Sequence, residues 1–311
     1  MKEYIRKTAS SIGLDACRIT IPRISQTEKE RIVSWLAAGY AAEMQYMYRN
    51  LNLRTHPETL SDSFYSVVCV ALGYDGESSL SSKEYVLSRY AFGKDYHIIL
   101  RDKLYQLFQQ IKEKVPGLTG RVCVDSVPIP EHALAAQSGL GWVGKNSLLI
   151  VPGSGSYVFL GELFLSVALE PDQPATSRCG SCTRCMDACP TGAIVAPHTI
   201  DASKCLSYKT IEFRGRYTEK EPLHQRMFGC DICQEVCPWN RQPSHNVSPI
   251  FKPSPELMAM KGHDWETLTE ARFNSLFDQS AVRRAGYDQL MRNIRQIGKT
   301  SCHRGNSPEQ E

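Results

Sequence analysis

The segment Cys179 to Pro190, "CGSCTRCMDACP", constrains this chain more than any other, placing four thiols in eleven residues and ending on a proline. Its spacing, C-x2-C-x2-C-x3-C-P, is that of the bacterial ferredoxin run, in which three thiolates cap one [4Fe-4S] cube and the fourth reaches across to another. A second run is therefore expected downstream, and "CDICQEVCP" supplies Cys230, Cys233 and Cys237, again closed by proline. That run lacks a first cysteine at the usual spacing; the substitute is Cys205 in "DASKCLSYKT". Crossing over then assigns Cys179, Cys182, Cys185 and Cys237 to one cluster, and Cys189, Cys205, Cys230 and Cys233 to the other. A pair of four-cysteine zinc sites is the alternative. Zinc rarely needs three thiols at successive two-residue gaps and a C-x3-C-P ending in both halves.

Eight of the twelve cysteines lie in this region; Cys17, Cys69, Cys123 and Cys302 are isolated. Cys69 and Cys123 sit in apolar runs, where cysteine behaves as a small buried hydrophobe. The N-terminus has no apolar stretch with a small-residue cleavage site, and the longest apolar region is interrupted by Pro152 and glycines. The expectation is a cytoplasmic protein without a membrane partner, where clustered cysteines serve as metal ligands rather than disulfides. A net charge of +3 does not by itself announce a nucleic-acid binder.

About 170 residues precede the thiols. "SVVCVALGY" (66–74) and "RVCVD" (121–125) read as buried strands. Between them Leu100, Leu104, Leu107, Phe108 and Ile111 recur at helical spacing until Pro116 and Gly117. "EHALAAQSGLG" is helical up to its glycines, and "NSLLIV" and "SYVFLGELFLSVAL" are strands separated by the "PGSGS" turn. The expected fold class is α/β (α+β): an α/β domain over 1–170, a ferredoxin-like two-[4Fe-4S] domain over 171–245 and a helical extension with a disordered tail over 246–311. The polar, proline-interrupted "EPDQPATSR" (170–178) is the linker. Gly139, Gly141 and Gly144 match the dinucleotide fingerprint G-x-G-x-x-G, but here a helix precedes the glycines and a strand follows, the reverse of the required order. A nicotinamide site is discounted, and Lys145 lacks the P-loop spacing. The glycines mark either a close approach of backbone to a ligand or an ordinary tight connection.

Four blocks, "FGKDYH" (92–97), "VDSVPIPEHALAAQSGLGWVGKNSLL" (124–149), "CGSCTRCMDACPTGAI" (179–194) and "FGCDICQEVCPWN" (228–240), together resemble the epoxyqueuosine reductases, cobalamin-dependent iron-sulfur enzymes that finish queuosine in transfer RNA. The likeness extends to about residue 297, where "RRAGYDQLMRNIRQIG" is similar to the family's closing helix. It implies two-electron reductive removal of the epoxide oxygen from the modified wobble base, leaving an alkene and water. The implied cofactors are cobalamin, suited to the hard carbon–oxygen step, and two [4Fe-4S] clusters that recharge it. The implied partners are a tRNA anticodon stem-loop carrying epoxyqueuosine and an electron donor that the sequence does not identify; a monomer is expected.

By the same resemblance Asp125 is the proton donor, its pKa raised by desolvation against a cofactor of low polarity. On pattern alone Asp125 would instead start the turn "DSVPIP" through hydrogen bonds to its own backbone. Arg54, Ser88, Asp125, Asn146, Leu160, Ser207 and Asp231 match positions that contact the corrinoid, although at Ser88 relatives can place a cysteine. His97 is not taken as a cobalt ligand, because the family is understood to hold cobalamin without a protein histidine on the metal, and a lone histidine is more often structural.

Two basic groups are candidates for phosphate contacts: Lys204, Lys209, Arg214, Arg216, Lys220 and Arg226, diluted by Glu212, Glu219 and Glu221, and Arg283, Arg284, Arg292, Arg295 and Lys299, opposed by Asp288. The competing reading is a set of solvated helix faces. No solenoid repeat is present, and the ending "KTSCHRGNSPEQE" reads as a disordered tail in which Cys302 is incidental. Two other functions compete with the reductase. A corrinoid reductive dehalogenase shares the cobalt-plus-two-cubes plan, and a plain electron-transfer protein would leave the N-terminal domain without a role.

Overall fold

The computed structural model describes residues 1–74, 80, 82–241 and 248–302. Its main sheet has four strands in the order Ala16–Thr20, Ser66–Gly73, Val158–Leu165, Gly120–Cys123, and every neighbouring pair is antiparallel. The architecture is mixed α/β. The run "SVVCVALG" is apolar throughout because both faces of its strand are covered, and all eight residues are buried. Alternation divides them. Val68, Val70 and Leu72 pack with Ile5 and Ala9 of helix Lys2–Ser11 and with Leu100, Leu104, Leu107 and Ile111 of helix Tyr96–Lys114. Val67, Cys69 and Ala71 face the other way, onto Leu134 and Ala135 of helix Glu131–Gln137.

The false dinucleotide fingerprint resolves into backbone packing. A Cβ on Gly139 would lie 2.1 Å from the carbonyl oxygen of Gln173, and one on Gly141 would lie 2.2 Å from that of Ile150. Chain, not ligand, is what approaches these glycines. Gln173 belongs to the expected linker, which has no regular structure yet is firmly attached. Asp172 accepts from Lys2 and Arg6 at 2.8 and 2.5 Å and from the Ile19 N–H at 2.9 Å.

A second core joins distant parts of the sequence. The short strand Val86–Leu87 pairs in parallel with Arg226–Phe228, and Tyr85, Leu87, Ala91 and Phe92 are buried with Leu206, Met227 and Phe228 and with Leu290, Met291, Ile294 and Ile297 of the last helix. That helix runs Tyr287–Cys302, so the tail expected to be disordered from Lys299 is helical as far as Cys302, while 303–311 lie outside the described residues. Its hub is polar. Fully buried Asn293 donates to the carbonyls of Thr210 and Met227. Arg292 lies over the Tyr217 ring at 4.6 Å and donates to the carbonyls of Phe213 and Gly215, each at 2.9 Å. Arg292→Ala removes cation–π contacts with Phe213 and Tyr217 and charged hydrogen bonds to the Phe213 and Gly215 carbonyls and the Tyr217 hydroxyl, and is expected to lower the unfolding free energy by about 2–3 kcal/mol in chemical denaturation.

Candidate active site

The thiols fall into two sets in space. Cys179, Cys182, Cys185 and Cys237 line one cavity, of about 70 Å³, together with Trp239 and Ile150. Cys185 and Cys237 each feel the charge of other thiols in this set. Cys233 feels Cys230 and Cys205, and Cys205 feels Cys189. Three thiols of the first run thus share a cavity with Cys237 of the second. The short helices Arg184–Asp187 and Ile232–Glu235, one in each run, pack together and bring the runs into register. Burial pushes the Cys230 thiol up to about 12 and raises Cys205 and Cys233 as well, as befits thiols that become good ligands only when a metal displaces their protons. Among the described residues no three His, Cys, Asp or Glu side chains converge as a single ion requires. The four thiols of the first set surround a cavity rather than a point, as the corners of a cube require.

Beside the Cys205 set opens a cavity of about 820 Å³, walled by Trp35, Met44, Tyr46, Tyr208 and Ile211 and lined also by Asn146, Ser147 and Ser207. Asn146 Nδ2 and Ser147 Oγ are buried there without hydrogen-bond partners. Orphaned donors of this kind call for a ligand. A large, flat cofactor with an apolar centre and carbonyl-bearing rim fits such a wall, and cobalamin is of this type. Asn146 also stands close to Cys233, so one residue borders both the cavity and a cluster ligand set.

A second cavity, of about 290 Å³, shares Ile211 and Glu212 with the first and is lined by Tyr96, His97, Asp125, Arg214 and Arg284. Asp125 follows the strand Gly120–Cys123 and holds a left-handed backbone, φ +51°. Its Oδ2 meets His97 Nε2 at 2.8 Å. The helix start explains where His97 stands: Asp95 is the N-cap of Tyr96–Lys114, its Oδ1 accepting the His97 backbone N–H at 3.0 Å and pairing with His97 Nδ1 at 2.7 Å. Arg284 donates to the other Asp95 oxygen at 3.0 Å. Burial opposes a charge on His97, but the hydrogen bonds to Asp125 and Asp95 outweigh it and raise the imidazole above its ordinary value. Burial likewise works against the Asp95 carboxylate, yet the His97 bonds bring it down to about 2.

Residues 54–126 match a family model described as epoxyqueuosine reductase QueG, and residues 178–240 match the 4Fe-4S double cluster binding domain. The epoxyqueuosine reductase of Cellulophaga algicola is 40% identical to this chain, the alignment covering 94% of this chain and 96% of that protein. The chain belongs to the epoxyqueuosine reductase family. Among solved members, an epoxyqueuosine reductase with a tRNA-Tyr epoxyqueuosine-modified stem loop has a TM-score of 0.85 at 29% identity, covering 97% of this chain and 81% of its own. The Bacillus subtilis epoxyqueuosine reductase, with its catalytic aspartate loop swung out of the active site, gives the same four values.

Within this epoxyqueuosine reductase fold the expected cofactor residues take different places. Asn146 and Ser207 line the large cavity. Arg54 stands behind it, donating to the Tyr46 carbonyl at 3.3 Å, with its Nε buried and unpartnered. Asp125 lines the smaller cavity, and its carboxyl, 54% exposed, bonds to His97 rather than to its own turn. Leu160 is buried in the core beside Ala71 and Leu134. Ser88 and Asp231 are buried as a pair, Ser88 Oγ donating to Asp231 Oδ1 at 2.5 Å, and neither is among the residues lining the large cavity.

The basic groups are thinned in the same way. Lys204, Lys209, Arg226, Arg283 and Arg284 pair with Asp201, Glu221, Glu235, Asp278 and Asp95, and Arg292 is held by aromatic rings and carbonyls. Arg214, Arg216, Lys220, Arg295 and Lys299 stay exposed. Sequence reasoning passed over His97, Asp95 and Arg284 as parts of the acid's surroundings. The signal was the D-Y-H triplet at a helix start, where an N-cap aspartate and a histidine two residues later share one turn.

Proposed function

We propose that this protein carries out the epoxyqueuosine reductase reaction with cobalamin in the 820 Å³ cavity and the flipped-out modified base in the 290 Å³ cavity. The single observation that carries the reading is the placement of Asp125 on the wall of the smaller cavity, which adjoins an apolar cavity with orphaned polar groups and, beyond it, two sets of cluster thiols. Cobalamin, when bound, supplies a strong nucleophile or one-electron reductant able to open an epoxide carbon–oxygen bond. The clusters, held by the crossed cysteine sets, supply electrons singly.

The chain's own residues handle the base and the protons. Tyr96, stacked on Phe159 at 4.3 Å, gives the smaller cavity a rigid aromatic wall against which a splayed base can lie. Asp125 delivers a proton to the departing oxygen, and His97 stands behind it to replenish that proton. Asp95, fixed by Arg284, keeps the imidazole oriented. Exposed Arg214, Arg216, Lys220, Arg295 and Lys299 position the stem-loop through its phosphates.

The domain division 1–170, 171–245 and 246–311 is retained in this reading, with residues 85–92 lent to the second core. A monomer in the cytoplasm, served by a separate electron donor, completes it. Among the described residues no helix is long and apolar enough to cross a membrane.

The raised His97 value sets a pH dependence. The imidazolium–carboxylate contacts stabilise the fold fully below about pH 6.5, the ordinary histidine value, and their contribution is lost as pH rises through the higher folded value. Turnover and melting temperature should both fall over that upper range, and His97→Gln should flatten the response in a thermal-melt series. The function itself is tested by supplying the reconstituted protein with epoxyqueuosine-containing tRNA and, separately, with a halogenated organic compound. Conversion of the first alone is expected. Conversion of only the second would replace the reading with a dehalogenase, and an anaerobic preparation containing zinc or binding no corrinoid would end it.

A further inference from the structure

Glu162 is the one ionisable residue in the strand Val158–Leu165, whose other members are apolar or glycine, and it has no solvent exposure. It faces Cys69 across one strand pair and Cys123 across the other. No N–H or O–H group among the described residues donates to either of its oxygens. What meets it is a second carboxyl: Glu131, the first residue of helix Glu131–Gln137, comes within hydrogen-bonding reach of it. Two carboxyls can be hydrogen-bonded only through a proton that one of them carries. Glu131 in turn offers Oε1 to the Asp125 backbone N–H at 2.6 Å. Asp125 there keeps its left-handed backbone, a conformation that a residue other than glycine retains when its surroundings hold it.

We propose that Glu131 and Glu162, bridged by one proton, form the anchor that holds the Asp125 loop in its working shape. Both are positioning residues. The use of this anchor in catalysis rests on the reading of Asp125 as the acid; its existence does not.

The short bond to Asp125 fits an ionised Glu131 accepting a charge-assisted hydrogen bond, with Glu162 as the protonated partner. Burial raises the proton affinity of both groups, so the bridge persists near neutrality. The other ionisable groups that face the pair are Asp125, His97, Arg54, Tyr96, Cys69 and Cys123. His97 and Arg54 offset the pair's single negative charge, and burial keeps both thiols protonated. As pH rises past the point where the bridging proton leaves, two anions face each other inside the core and the anchor loosens.

Amide hydrogen exchange at Asp125, followed by mass spectrometry on the cluster-loaded full chain from about pH 6 to about pH 9, reads the anchor directly. In the wild type, protection beyond the intrinsic pH effect should decline toward the alkaline end. Glu131→Ala should exchange about tenfold faster or more at every pH, and Glu131→Gln, which keeps an acceptor for Asp125 and a donor for Glu162, should restore protection. Glu162→Gln replaces the bridging proton with an amide N–H that does not titrate. Its protection should persist while the pH dependence disappears, together with the infrared band of a buried carboxylic acid. Wild-type protection in Glu131→Ala, or an unaltered pH profile in Glu162→Gln, overturns the proposal. Should Glu131→Ala fail to fold, as judged by iron content and circular dichroism, the Glu162→Gln profile decides. If exchange behaves as stated but Asp125→Asn still turns over normally, the anchor stands and the assignment of Asp125 as the acid fails instead.

Discussion

Asp125→Asn is expected to keep wild-type iron and corrinoid contents and to lose about 100-fold or more in turnover, close to 3 kcal/mol in the barrier. The substitution is nearly isosteric, and the asparagine carbonyl can still accept from His97 where Asp125 Oδ2 now stands 2.8 Å away. The Glu131 contact uses the backbone N–H and survives unchanged. Only the transferable proton is removed. The measurement is single-turnover conversion of epoxyqueuosine-containing tRNA alongside the visible spectrum of the same sample. Full activity with intact cofactors would show that the departing oxygen takes its proton from elsewhere, with His97 the first candidate to examine.

The second large effect concerns the crossed ligands. Cys233→Ala should reduce iron from about eight atoms per chain to about four, because it opens the Cys189, Cys205, Cys230, Cys233 set and spares the other. Cys237→Ala, almost adjacent in sequence, should deplete the opposite cluster and mimic Cys185→Ala, since Cys237 lines the cavity that holds Cys179, Cys182 and Cys185. The two depleted proteins should differ in function as well. Loss of the Cys233 set empties the cluster whose ligand Cys205 lines the large cavity, cutting the last step toward the corrinoid. If both variants lose the same iron signal, each run binds its own cluster and the crossed scheme is wrong.

Much of this was legible in the residues. Thiol spacing marked the cluster region, because ligand geometry leaves little freedom in a run of C-x2-C steps, and the fold brings Cys237 to the cavity of Cys179, Cys182 and Cys185. The strand over 66–74 was plain from its apolar, β-branched run and the helix over 100–111 from apolar periodicity. Strand order was not, since Ala16–Thr20 is short and its pattern weak, and antiparallel pairing between Ser66–Gly73 and Val158–Leu165 leaves no local mark. The resemblance grouped Ser88 and Asp231 as cofactor contacts; that they are buried and bonded to each other is a pairing no local pattern announces. The glutamate in "VFLGELFL" was a visible anomaly, an acid in an otherwise apolar strand, and its meaning emerges only when Glu131 arrives from another element.

The crossed cysteine sets also bear on how the enzyme is made. A nascent chain that has emerged only as far as Thr210 exposes Cys179, Cys182 and Cys185, but Cys237, which completes their cavity, has not yet left the ribosome. On the crossed assignment proposed above, neither centre can be finished before the second run leaves the ribosome. Delivery of iron is thereby tied to late biosynthesis.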